Sequence, residues 1–139
     1  MATLQLSVAV RNARLDTVES TIGTAAVVEL RVGALPANCA AVSTGALLAR
    51  DAIPSDWMAA ASGGVKAKAG TWTLTGLAGI ATSDIGYFRI YEASSPDVCH
   101  IQGDVTATAG GGAMTVDNIS LAAAQVVTVN TFQLTDGNA

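Results

Sequence analysis

Residues 3–10 alternate strictly, with Leu4, Leu6, Val8 and Val10 on one parity and Gln5 and Ser7 on the other. A period of two predicts a half-buried strand. Its apolar side suits either an edge strand of the domain or an arm that adds to a neighbouring sheet. The period then lengthens. Leu15, Val18 and Ile22 recur at helical spacing, Asn12 is a candidate N-cap, and Gly23 stands where a C-terminal glycine belongs. One short amphipathic helix is expected over residues 13–22, with Asp16 and Glu19 on its solvent side.

Everything beyond favours strands. Residues 26–32, 46–49, 86–92, 98–106, 113–119 and 125–135 are short β-rich runs. Residues 65–75 set Lys66 and Lys68 against Val65, Ala67 and Ala69, and the apolar parity slips at Gly70, where a bulge is easiest. A second slip, between Val129 and Phe132, predicts a bulge near Asn130. Residues 33–44 read as a connection. Residues 51–64 read as loop, with at most one helical turn after Pro54. Turn signals at 94–97, 110–112 and 122–124 separate the strands. Many short strands at such spacing, without crossover helices, indicate an all-β chain. The expectation is a single domain over residues 1–139, an antiparallel β-sandwich of jelly-roll type with one short helix near the N-terminus.

Composition changes the picture in one respect. Half of the 139 residues are hydrophobic but only 13% are charged, about half the ~25% of an average domain. A surface so poor in charge is better explained if part of it is covered in an assembly, and a homodimer is the simplest way to cover it. The net charge of −4 and seven scattered Lys and Arg leave no basic stripe for nucleic acid or an anionic membrane. No apolar run approaches a membrane span, and no signal peptide is evident at the N-terminus. The two cysteines are expected to be free and reduced.

Candidate chemistry is sparse. His100, the only histidine, adjoins Cys99 in the chain. On a regular strand the two side chains point to opposite faces, so they cannot form a nucleophile–base pair. Cys99 shares parity with Ile101 and Val105 and is expected in the core, with His100 near the surface. One histidine and two cysteines are too few for a structural zinc site. The glycines at 110–112 lack the spacing of a phosphate cradle and read as a hairpin loop. No nucleophile elbow occurs, and nothing singles out a pair among eleven acids. No catalytic residue, metal ligand or cofactor is expected. Tyr87, Arg89 and Tyr91 share one strand face, as an aromatic ligand platform or, the reading preferred, as a ladder against a neighbouring strand or subunit.

The stretches "IPSDWMAAASGGVKAKAGTW" (residues 53–72), "GYFRIYEASSPDVCHIQGDVTATAGGGAMTVDN" (residues 86–118) and "VTVNTFQLTDGNA" (residues 127–139), with "VRNARLDTVESTIGTA" near the start, resemble tailed-bacteriophage capsid cement (decoration) proteins, similar to that of a Bordetella bacteriophage. The resemblance covers most of the chain. It implies a β-sandwich or jelly roll made in the bacterial cytoplasm and bound as dimers to the virion's capsid exterior, with the phage major capsid protein as partner. It supplies no catalytic residues. Residues expected to serve a partner interface are Leu4, Leu6, Trp57, Met58, Tyr87 and Tyr91. The alternative is a tail or surface β-sandwich that binds carbohydrate or receptor, with Trp57 on a loop as its platform.

Overall fold

The computed structural model describes residues 3–94 and 97–138. Ser95 and Pro96 of the expected turn, and the first two residues of the expected arm, lie outside the described residues. The chain folds as a mostly-β, mixed-sheet, sandwich-like structure with a single helix near its start.

The helix begins earlier than the hydrophobic pattern suggests. α1 spans Val8–Ile22, and residues 3–7 form no strand. Ser7 is the residue that decides this. It has extended φ and ψ (−62°, 155°), and its hydroxyl accepts a hydrogen bond from Val10 N at 3.3 Å, which makes it the N-cap in place of Asn12. Asn12 is one turn inside, and its side chain accepts from Gly64 N at 2.9 Å. At the far end Gly23 (φ 84°) stops the helix and donates to Glu19 O at 2.8 Å. Leu15 and Ile22 are buried, as the helical spacing predicts, but so is Arg11.

Among the described residues ten strands follow: β1 (Ala26–Arg31), β2 (Leu47–Ala52), β3 (Val65–Ala67), β4 (Trp72–Thr75), β5 (Ser83–Asp84), β6 (Tyr87–Glu92), β7 (Val98–Ala107), β8 (Met114–Val116), β9 (Ser120–Leu121) and β10 (Val126–Thr135). The main sheet runs β2-β1-β6-β7-β8-β10-β3, and β4 also pairs with β10. β5 and β9 form a separate two-stranded piece. The named pairs are antiparallel except β7 with β8, which is parallel. That one pair makes the sheet mixed where a purely antiparallel one was expected. Leu77 N donates to Leu48 O (2.8 Å), and Thr75 N donates to the Asp51 carboxylate (2.7 Å). The end of β4 therefore lies along the otherwise free edge of β2, which curls the sheet around its core and shields an edge.

Both phase slips read from the sequence are present. β3 and β4 are separated at Gly70 (φ 66°), and each pairs with β10. The β10–β8 register shifts between Val129 and Thr131, at Asn130. No helical turn follows Pro54. The core contains Val28, Leu30, Leu48, Leu74, Ile90, Val116 and Leu121. Through it runs a chain of aromatic contacts: Trp57–Trp72 at 6.0 Å, Trp72–Phe132 at 5.4 Å and Phe132–Phe88 at 5.6 Å.

Candidate functional site

The face of β1, β6 and β7 turned away from the core carries polar side chains in register. Arg50 lies opposite Glu29, Glu29 opposite Arg89, and Arg89 opposite Gln102. Residues 33–45 lie over this face, and the sheet's side chains fasten them by hydrogen bonds. Tyr87 donates its hydroxyl proton to Thr44 O, and the Tyr87 hydroxyl oxygen accepts from Thr44 N at 3.1 Å. The Tyr91 and Ser43 hydroxyls are 3.1 Å apart. Gln102 Nε2 donates to Pro36 O at 2.7 Å. Tyr87 and Tyr91 are consequently buried. They form the expected ladder, but against a loop of their own chain, so neither presents a surface to a partner.

Arg89 is the centre of this clamp. Its guanidinium donates to Asn38 O (3.0 Å), Ala41 O (2.9 Å) and Ser43 Oγ (3.1 Å), and the residue is 2% exposed. Among the described residues no carboxylate lies within ion-pair distance of it. Glu29, directly opposite, is taken up by Arg31 (3.0 Å) and Arg50 (2.5 Å). Arg89 Nε and Gln102 Oε1 are buried without a hydrogen-bond partner.

The Cys99–His100 pair does not meet, but the reason differs from the one expected. The β6–β7 register jumps from Ile90↔Ile101 to Tyr91↔Cys99, so His100 is the extra residue of a bulge. The bulge turns Cys99 out of the Ile101 face and onto the face of Tyr91 and Arg89. Cys99 is half-buried rather than in the core, and its thiol donates to Ile101 O at 3.5 Å. Burial, followed by the neighbouring Cys39, pushes the Cys99 thiol up to about 12, and Arg89 acts in the opposite direction. His100, also half-buried, sits 3.1 Å from Glu92 Oε2 beside a groove along α1 that Thr17 and Thr21 help line.

A second polar cluster joins α1 to residues 57–68. Lys66, expected on a solvated face, is 2% exposed; its Nζ lies 2.7 Å from Asp16 Oδ1, 2.8 Å from Glu19 Oε2 and 2.9 Å from Ala59 O. Asp16 and Glu19 therefore face the sheet side rather than solvent alone, and also accept from Ala61 N and Met58 N. The Lys66 hydrogen bond, then that of Ala61, lowers the Asp16 pKa. Burial alone would lower that of Lys66, but its two carboxylate partners outweigh this and raise it. Trp57 and Met58 lie in the core beneath this cluster, 0% and 2% exposed, with Trp57 Nε1 donating to Gly23 O at 3.0 Å. Neither contributes to an interface surface, because their segment is sealed by the helix.

Of the six residues expected at an interface, Leu4 and Leu6 alone remain at the surface, Leu4 76% exposed and Leu6 half-exposed. Val8 and Val10 on the first turn of α1 are exposed as well, and so are Leu35 and Val42 on the loop over the clamp. The sequence pattern missed these last two because residues 33–44 read only as a connection. Among the described residues no group of three or more His, Cys, Asp or Glu is placed to hold a metal, and no helix is long and apolar enough to cross a membrane. Comparison with family models, curated proteins and solved structures finds no match to this chain.

Proposed function

We propose that this is a structural virion protein that binds, as a homodimer, to the outside of an icosahedral phage capsid and stabilises the lattice, with the major capsid protein as its partner. The observation that carries this reading is where the exposed apolar residues lie. Leu4, Val8 and Val10 are on the chain leading into and opening α1, and Leu35 and Val42 are on the loop over the clamp, while Leu77, Val98 and Val126 are exposed singly elsewhere, the last two at the first residues of β7 and β10. The first two groups lie outside the sheet and hold five of the eight exposed large apolar residues among those described, so they can engage a neighbour without disturbing the core. The sequence resemblance over residues 53–72, 86–118 and 127–139 points the same way.

A cement protein needs broad contact surfaces of low charge rather than a pocket. By binding the assembled lattice more tightly than free subunits it shifts the equilibrium toward the closed shell, and many copies act together. The carbohydrate-binding alternative relied on an exposed Trp57, which is buried, so no observation favours it. The test is thermal release of DNA from particles carrying the protein and from particles stripped of it. Stripped particles should release at lower temperature, and adding the protein back should restore the difference. Equal release from both would refute the proposal. Light scattering behind size exclusion tests the dimer, and a clean monomer at tens of micromolar would count against it.

A further inference from the structure

Cys39 and Cys99 are far apart in the chain, and the clamp brings them together. Cys39 occupies a tight turn in which Ala41 N donates to Asn38 O at 3.1 Å, while the Asn38 side chain accepts from Ala40 N and Ala41 N, each at 2.9 Å. Arg89 holds both ends of that turn, through Asn38 O and Ala41 O. Cys99 is paired with Tyr91, two residues beyond Arg89 on the same face of β6. The guanidinium thus anchors the turn that carries Cys39 over the same face of β6 and β7 that carries Cys99, and both thiols are free. Both are half-buried, accessible enough for a small oxidant.

We propose that Cys39 and Cys99 form a dithiol that closes to an intramolecular disulfide under oxidising conditions and staples residues 33–45 to β7. With hydrogen peroxide as oxidant, the Cys39 thiolate attacks one peroxide oxygen. The O–O bond breaks, the departing hydroxide is protonated to water, and Cys39 becomes a sulfenic acid. The Cys99 sulfur then attacks the Cys39 sulfur. The S–O bond breaks, and the leaving hydroxide takes the Cys99 proton to give a second water. Two thiols lose two electrons and two protons, and one peroxide is reduced to two waters. Cys99, whose thiol is held protonated, is not the first nucleophile, and it sheds its proton as it attacks the sulfenic sulfur. Under the virion reading, on which only this timing rests, the staple would close once a particle leaves the reducing cytosol. It would hold Leu35 and Val42 in place before they meet a partner, which lowers the ordering cost of binding.

The experiment treats the folded full-length protein with hydrogen peroxide at neutral pH, then denatures and alkylates it. The expected product is an unalkylated chain lighter by two hydrogens, with Cys39 and Cys99 joined in the non-reducing peptide map. Closing a loop of about sixty residues should raise Tm on the order of 10 °C, reversibly with dithiothreitol. Cys39→Ser and Cys99→Ser should show no such rise. Both thiols still alkylated after treatment, or cross-links found only between molecules, would overturn the proposal. Neither outcome depends on capsid binding, so failure here is distinct from failure of the cement reading.

Discussion

Lys66→Met keeps an unbranched stem of similar volume in a site that is 2% exposed and deletes the ammonium. Three contacts disappear: Asp16 at 2.7 Å, Glu19 at 2.8 Å and Ala59 O at 2.9 Å. Breaking a fully buried ion pair costs about 3–5 kcal/mol because the abandoned charge cannot rehydrate. Here the abandoned carboxylates can, since their side chains are 49% and 22% exposed. Charge-assisted hydrogen bonds contribute roughly 1.5–3 kcal/mol net, and the methionine regains part of that by packing. The expected destabilisation is therefore about 2–3 kcal/mol, below the buried-pair range. For a chain of this length each kcal/mol moves Tm by about 3–4 °C, so thermal unfolding followed by circular dichroism should show a fall of about 7–10 °C at pH 7. A variant within about 2 °C of the parent would refute the claim that this pair fastens α1 to the sheet.

The pH dependence has a definite sign. The Asp16 pKa is lowered in the folded state, so its contribution is fully present above its usual value of 3.8 and is lost as pH falls through the lower folded value. The Lys66 pKa is raised, so its contribution is fully present below its usual value of 10.5 and is lost as pH rises through the higher folded value. The Tm difference between parent and Lys66→Met should be flat from about pH 5 to 9 and narrow outside that window. Asp16→Asn should remove the acid limb while leaving the alkaline one.

Gly86→Ala would place a Cβ 2.1 Å from Gly33 O and 2.7 Å from Gly33 N. Backbone must move to relieve such a contact, so urea unfolding should show a loss at or above the usual ~1–3 kcal/mol of overpacking. His100→Ala removes a partly exposed pairing with Glu92, and its stability should stay within about 0.5 kcal/mol of the parent. Deleting residues 1–6 leaves the Ser7 cap and removes the Leu6 N to Asn138 O bond of 2.9 Å. Chemical denaturation should register less than about 1.5 kcal/mol, whereas rebinding to stripped particles should weaken markedly. Loss of folding would show that the segment belongs to the core.

Strands were legible wherever one face is apolar and the chain obeys a single parity. β6 and β10 lie close to where the pattern put them, and the slip at Asn130 is visible because Val129 and Phe132 must both point inward. The alternation of residues 3–10 misled for a physical reason. Val8 and Val10 are exposed on a helix whose buried side includes Arg11, so the local apolar pattern marks the wrong face. Ser7 was the available signal, since a serine ahead of a helix-compatible run is a cap, but its weight against the alternation depends on the tertiary contacts of α1. Lys66 failed in the same way. Its burial is set by Asp16 and Glu19, some fifty residues earlier, and no window along the chain contains both sides of that pair. The loop over Tyr87, Arg89 and Tyr91 was legible only as a connection, because what fastens it is its own backbone carbonyls, which carry no sequence signature.

These failures share a direction, and it bears on function. Five of the eighteen charged side chains, Arg11, Glu29, Lys66, Arg89 and Asp136, are buried. Three of those five are among the seven cations of the chain. Two further cations, Arg31 and Arg50, are held by Glu29. That leaves Arg14, itself 3.1 Å from Asp136, and Lys68, whose ammonium donates to Gly70 O at 2.9 Å, as the cations neither buried nor held by Glu29. The exterior is therefore poor in cations in particular, because most of them work as internal fastening, while nine of the eleven acids remain unburied. At the same time Leu4, Val8, Val10, Leu35 and Val42 remain outside. Burying polar groups within while leaving apolar ones exposed costs solubility unless the exposed ones are covered. A protein that functions attached to a lattice meets that condition, and its salt response should reflect it. Attachment driven by apolar contact should persist as ionic strength rises, because screening weakens charge pairs and leaves hydrophobic burial intact. Stripped particles titrated with the protein at low and at high sodium chloride should bind with closely similar affinity. A steep loss of affinity with salt would show that charge pairs, and not these apolar residues, hold the protein to its partner.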